Sequence, residues 1–208
     1  MRFIKINLVV CLLFINTFFT FGQSDRSELN FLEQLIRQSQ PEGQIIYTDK
    51  ISKGEHDRIK SRIKKTTIYD ISTNRNQKWI TLTRKEKIYI FEQLEIINKP
   101  FWKENLFPES RLIKDDEVNS YLKKTTQDYL ENYNNPNNTG TDRMTMVKNY
   151  QKPAVFKFAK PVYLRNRTLC LIYSSFICGN PCGFDELSFY KIENNTWTKW
   201  VVVSHNEY

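Results

Sequence analysis

Apolar positions recur along this chain in two rhythms, and the rhythm changes near residue 140. In the first stretch they fall at helical spacing. Leu29, Leu32, Leu35 and Ile36 form one stripe, which predicts a helix over 24–40, started by Ser24 or Ser27 and stopped by Pro41-Glu42-Gly43. Ile59 and Ile63 stand i, i+4, and Ser52 with Glu55 has capping-box spacing, which predicts a second helix over 55–65. Thr83-Arg84-Lys85-Glu86 is another capping box. The stripe Ile90, Phe91, Leu94, Ile97 follows it and stops at Asn98-Lys99-Pro100. Asp115 and Asp116 precede Val118, Tyr121 and Leu122, which places acids in the first turn of a helix running through Tyr129. Between these helices, 44–48 and 66–72 are rich in β-branched and aromatic residues and read as short strands.

Residues 132–141 hold five Asn, one Pro and one Gly and read as a surface loop. Beyond it the rhythm suits strands. Val155–Leu164 is one, broken or bulged at Pro161. Thr168–Cys178 is apolar on both faces, as a central strand covered on two sides would be. Phe184–Ile192 and Thr196–Ser204 follow, joined by the turn residues Glu193-Asn194-Asn195. Helices first and strands second predict an α+β fold. A helix-rich half (24–131) is expected to pack on a C-terminal antiparallel meander of about four strands (153–205). Each half alone is small for a core, so 23–208 is read as a single domain. The knot of Phe101, Trp102, Leu106 and Phe107 either binds a ligand or plugs one end of that core; plugging is the ordinary role of such a cluster.

The first 22 residues change the picture. Arg2 and Lys5 precede an apolar run from Leu8 to Phe21, and Thr20 and Gly22 put small residues before Gln23. That is the pattern of a secretory signal peptide, shorter than the roughly 20 apolar residues of a bilayer span. Cys11 sits in mid-run, unlike a lipid-modified cysteine. The mature protein is expected to be exported, periplasmic or extracellular, with no transmembrane segment once the signal is removed.

Charge adds a candidate surface. The net charge of +8 falls to +6 without Arg2 and Lys5. The excess is concentrated in 51–65, where Lys53, Arg58, Lys60, Arg62, Lys64 and Lys65 face only Glu55 and Asp57. The pattern fits a solvated helix face, which is the ordinary role of such a run; the alternative is a patch for an anionic surface such as an acidic glycan or a membrane. It lacks the interleaved aromatics that stack bases, so nucleic acid is not an expected partner.

Export removes Cys11 and leaves three cysteines. Cys178 and Cys182 flank Gly179-Asn180-Pro181 at a strand end. In an oxidising compartment such a pair can reach disulfide distance across the turn. Free structural thiols, half of a zinc site and a redox pair are the alternatives. Only His56 and His205 are available to complete a zinc site, and the redox motif ordinarily spaces its thiols by two. Cys170 lies eight residues from Cys178, about 26 Å along an extended strand, and reads as a buried small hydrophobe.

Lys160-Pro161-Val162-Tyr163-Leu164-Arg165, Cys178-Gly179-Asn180-Pro181-Cys182-Gly183 and Tyr190-Lys191-Ile192-Glu193-Asn194-Asn195-Thr196-Trp197 together resemble a group of small exported proteins of Bacteroidetes-type bacteria. These share a CGxxCG hairpin and a following strand that ends in a Tyr-Lys-Lys-type turn before a Trp. The resemblance covers the last 50–60 residues well and 83–102 more loosely. It implies export and the hairpin, and supplies no activity or catalytic residue. Phe184-Asp185-Glu186 departs from the Gly-rich stretch usual after the second CG.

Catalytic signatures are missing from the sequence: no Gly-rich phosphate loop, GxSxG, HExxH or GxGxxG occurs. The adjacent acids Asp115/Asp116 and Asp185/Glu186 do not have the separation of a glycosidase pair. No catalytic residue, metal site or cofactor is therefore assigned. The expected function is a non-enzymatic exported protein that binds an unknown protein or glycan partner, or has a structural role. The alternatives are a hydrolase whose site assembles only in the fold, and a basic module for acidic glycan or membrane surface. A cleft gathering His56 or His205 with carboxylates would favour the hydrolase. A flat, aromatic-rimmed surface near Trp102, Phe107, Trp197 or Trp200 would favour a partner.

Overall fold

The structure, a computed structural model, describes residues 28–38, 43–72, 78–97, 101–137, 139–141, 144, 154–178 and 182–207. The expected signal segment, 1–22, and the hairpin tip, 179–181, lie outside them. The chain forms two compact units, 1–43 and 44–208. In the first, helix α1 spans 28–38 and buries Phe31, Leu32 and Ile36. Gly43 has φ of 90°, which a side chain would strain, and its carbonyl accepts a 2.9 Å hydrogen bond from Arg37.

The second unit runs β1 (Ile45–Thr48), α2 (Lys53–Ile63), β2 (Thr67–Tyr69), β3 (Trp79–Thr81), α3 (Arg84–Ile97) and β4 (Ser110–Ile113). A 3-10 turn (Asp115–Glu117) and α4 (Val118–Tyr133) lead to β5 (Val155–Phe158), β6 (Val162–Leu164), β7 (Leu169–Ile177), β8 (Gly183–Glu193) and β9 (Thr196–Glu207). The fold is α+β, as the two rhythms imply. The expected meander of about four strands is too small, however. The main sheet has seven strands in the order β4-β1-β5-β7-β8-β9, with β6 also on β7, and β2-β3 form a separate ribbon. Two strands of the N-terminal half join the main sheet: β1 pairs in parallel with both β4 and β5. Within the main sheet the antiparallel pairings are those among β5 to β9; the β2-β3 ribbon is antiparallel too.

Other boundaries move for local reasons. The strand expected over 155–164 is two pieces that pair with β7 in succession, because Pro161 has no N–H to give the ladder. Asp115 and Asp116 sit in the 3-10 turn and not in the helix itself, and α4 continues four residues past Tyr129. Both capping boxes form. Ser52 Oγ accepts from the Glu55 N–H while Glu55 Oε2 accepts from the Ser52 N–H, and Thr83 and Glu86 do the same. Asn194 and Asn195 both have positive φ, the requirement of a two-residue hairpin turn.

One core joins Ile59 and Ile63 of α2, Ile90 and Leu94 of α3, Ile68 and Ile80 of the ribbon, and Leu171, Leu187, Phe189, Val201 and Val203 of the main sheet. Burying an Ile or Leu is worth about 1.5–3 kcal/mol, so this cluster fixes α2 and the ribbon against the sheet. A smaller cluster seats α4 through Val118 and Leu122 on Ile46, Ile113 and Val155. Tyr47, Phe158, Trp102 and Phe107 interlock with ring centroids 4.9–6.0 Å apart. The Tyr47 hydroxyl donates to the Lys103 carbonyl and accepts from the Leu106 N–H, while the Trp102 indole donates to the Phe158 carbonyl. The aromatic knot is thus a core plug.

Candidate functional site

The basic segment meets two different environments along α2. At the start of the helix, Glu55 and His56 are buried. Lys157 of β5 reaches in with its Nζ 2.5 Å from Asp115 and 3.9 Å from Glu55, and is itself 8% exposed. The Asp115 N–H donates to Asp49 Oδ1. A buried ammonium between two carboxylates satisfies the rule that buried charge must be paired. The group joins α2, the 3-10 turn and β5. His56 is 2% exposed; its Nε2 lies 2.9 Å from the Leu94 carbonyl, and its Nδ1 has no hydrogen-bond partner.

Further along α2 the cations face outward. Arg58 pairs at 3.0 Å with Asp185, a buried carboxylate that also accepts from the Asn206 amide. Lys60 pairs with Glu95. Lys53, Arg62, Lys64 and Lys65 make no ion pair among the described residues. Lys87 donates to the Lys64 carbonyl, adding a cation near the negative end of the helix dipole.

Arg58, Arg62 and Lys65 line a cleft of about 390 Å³ between α2 and the β2-β3 ribbon. Its other walls include Thr67, Ile68, Tyr69, Ile71 and Val203. Local structure explains each. The ribbon turns Ile68 and Ile80 into the core and Tyr69 and Trp79 outward, because strand side chains alternate. A bulge between β8 and β9 inserts Val203 as an extra residue between Ser204 and Val202, which turns it toward the core and the cleft. Asp70 ties the ribbon to β9. Its Oδ1 accepts from the Val202 N–H and from the Ser72 N–H and hydroxyl, and the Ile71 N–H donates to the Val202 carbonyl. Burial alone would push the Asp70 carboxyl up; the Ser72 and Val202 hydrogen bonds and the Lys78 charge outweigh it and hold the carboxyl below its ordinary value.

A second polar cluster lies on β8 and β9. Glu186 accepts from the Ser188 hydroxyl at 2.8 Å, pairs with Lys199 at 2.6 Å and lies 3.4 Å from His205 Nδ1. Burial, with Glu186 and Cys170 nearby, raises the Tyr190 phenol above its usual value. The Ser188 hydroxyl is directed to the carboxylate and not to the imidazole, so this is not the geometry of an activated nucleophile. Neither histidine lines the cleft. Cys178 and Cys182 stand at disulfide distance, Cα atoms 5.1 Å apart, and the Cys178 N–H donates to the Cys182 carbonyl. Cys170 is buried in β7, outside that pair.

Sequence reasoning found the cations and missed what surrounds them. Three of its six patch residues share the cleft; Lys53, Lys60 and Lys64 do not line it. Of the four aromatics whose surface would favour a partner, Trp102 and Phe107 are buried, and Trp197 and Trp200 are half-buried. Among the described residues the exposed aromatics are Tyr69, Trp79 and, on α3, Tyr89; the only sequence signal for the first two was the alternation of Tyr69-Asp70-Ile71 and Trp79-Ile80-Thr81. Among the described residues no three His, Cys, Asp or Glu side chains gather as a metal site, and no helix is long and apolar enough to cross a membrane. No protein family, curated protein or solved structure matches the chain.

Proposed function

We propose that the protein is an exported binding protein whose ligand is anionic and seats in the cleft between α2 and the β2-β3 ribbon. The observation that supports this is the pairing pattern. Arg58 has a buried carboxylate to answer it, whereas Arg62 and Lys65 on the same wall have none. Two unanswered cations beside an apolar floor of Ile68, Ile71 and Val203 give an anion charge complement and a surface poor in competing water. Arg62 supplies a fork that matches a carboxylate, sulfate or phosphate, and Lys65 a mobile point charge. The N-terminal signal pattern and the Cys178–Cys182 hairpin support export.

The test is titration with dextran sulfate. Two neutralised charges predict affinity falling about tenfold between 50 and 200 mM NaCl, by the steep screening of exposed charge. The double variant Arg62→Gln, Lys65→Gln should lose about tenfold at the lower salt. Binding indifferent to both salt and the double variant would end the proposal.

A further inference from the structure

The outer face of the ribbon carries more than the cleft requires. Tyr69 and Trp79 are directly opposed partners in the antiparallel register, so their side chains stand on one face with Cβ atoms about 5 Å apart. They are 55% and 56% exposed, and Ile71, one alternation further on, is 56% exposed. Opposed aromatic rings that touch stiffen a two-stranded ribbon by about 0.2–1 kcal/mol, and these two rings make no such contact. Ribbon stiffness therefore does not account for a pair that faces water beside unpaired cations. Tyr69 and Ile71 are themselves cleft walls, so this face borders the cleft.

We infer that the Tyr69–Trp79 pair is a stacking platform for a pyranose ring, and that the ligand is therefore an acidic polysaccharide. The inference rests on the anionic-cleft reading and narrows it. A sugar ring presents a C–H face that packs on an aromatic surface by burial and by attraction to its negative π face. Its carboxylate or sulfate lies at the ring edge, where a planar guanidinium can take two oxygens at once. Arg62, Lys65 and Tyr69 line the same cleft, so one residue of the polymer stacks while its neighbour's acid group is held. A small anion alone would leave the platform unused. A flat bilayer surface would meet the projecting aromatics but would not fill a concave cleft of about 390 Å³.

The experiment compares polygalacturonate, neutral dextran and anionic phosphatidylglycerol vesicles as ligands for three forms of the whole protein. These are the wild type, Tyr69→Ala with Trp79→Ala, and Arg62→Gln with Lys65→Gln; circular dichroism confirms that each form folds. The expected result is polygalacturonate binding that falls about tenfold in either double variant, little binding of neutral dextran, and saturation transfer from aromatic protons to sugar C–H protons that disappears in the Tyr69/Trp79 variant. Loss in the Arg62/Lys65 variant with none in the Tyr69/Trp79 variant would overturn the platform and leave the anionic cleft standing. Loss in the Tyr69/Trp79 variant alone, or no binding to any of the three, would overturn both. Preference for the vesicles over polygalacturonate would make the ligand a membrane surface and end the glycan inference.

Discussion

Two cationic regions flank helix α2 and follow opposite rules. Near its first turn, Lys157 is buried and held by Asp115 and Glu55, and the arrangement welds three elements together. Toward its last turn, Arg62 and Lys65 stand in water at a cleft and touch no carboxylate among the described residues. The first region is charge used for architecture: removing a partner strands the others in low dielectric. The second has no architectural demand on it, since the Ile59–Ile63 edge already fastens the helix. The contrast teaches that pairing, more than density of charge, separates a structural cation from one free to meet a ligand.

The comparison breaks most visibly at Lys157. Lys157→Met should cost about 3–5 kcal/mol, read as a fall in the urea midpoint, because Glu55 and Asp115 are left facing each other without a cation. Adding Glu55→Gln and Asp115→Asn should return at least half of it. A cost under about 1 kcal/mol for the single change would show that water already reaches the group.

Asp70 lies between the two extremes. Asp70→Asn should cost about 1–2 kcal/mol, since the Ser72 and Val202 donors lose a charged acceptor. Its folded-state value is lowered from 3.8, so its contribution is complete above that pH and is lost as the pH falls through the lower, folded value. The wild type should therefore lose stability more steeply than the variant below about pH 4. Parallel acid limbs in urea unfolding would remove Asp70 from the account of how the cleft floor is held.

The smallest effect is the sharpest. Arg62→Gln and Lys65→Gln should each leave the urea midpoint within about 0.5 kcal/mol of wild type. Destabilisation of about 2 kcal/mol by either would mean that the cation does structural work, and the contrast along α2 would collapse.

Features decided within a few residues were legible before the structure. Ser52 with Glu55 and Thr83 with Glu86 announced two helix starts, and Asn194-Asn195 announced a turn, because each is complete within four positions. Features decided across the chain were not. Ser110-Arg111-Leu112-Ile113 has no clear alternation and becomes β4 only because β1 offers it a ladder. The cations of 58–65 could be read, but Val203, which completes their cleft, arrives by a bulge far along the sequence. Lys157 sat among Val155, Phe156 and Phe158 with nothing nearby to announce its partners.

The parallel pairing of β1 has a consequence for time as well as for shape. Tyr47 meets Phe156 across more than a hundred residues of chain, and β5 is in turn held by β7. While synthesis is still short of β5, β1 has only β4 to pair with, and a pair of four-residue strands is not stable by itself. The ladder then closes late, through contacts of high sequence separation that must meet their loop entropy before they return any energy. Refolding should accordingly be slow for a chain of this length, and a chain cut before β7 should gain no stable sheet at all. The same strand that joins β4 to the sheet ties that end of it to the arrival of β5.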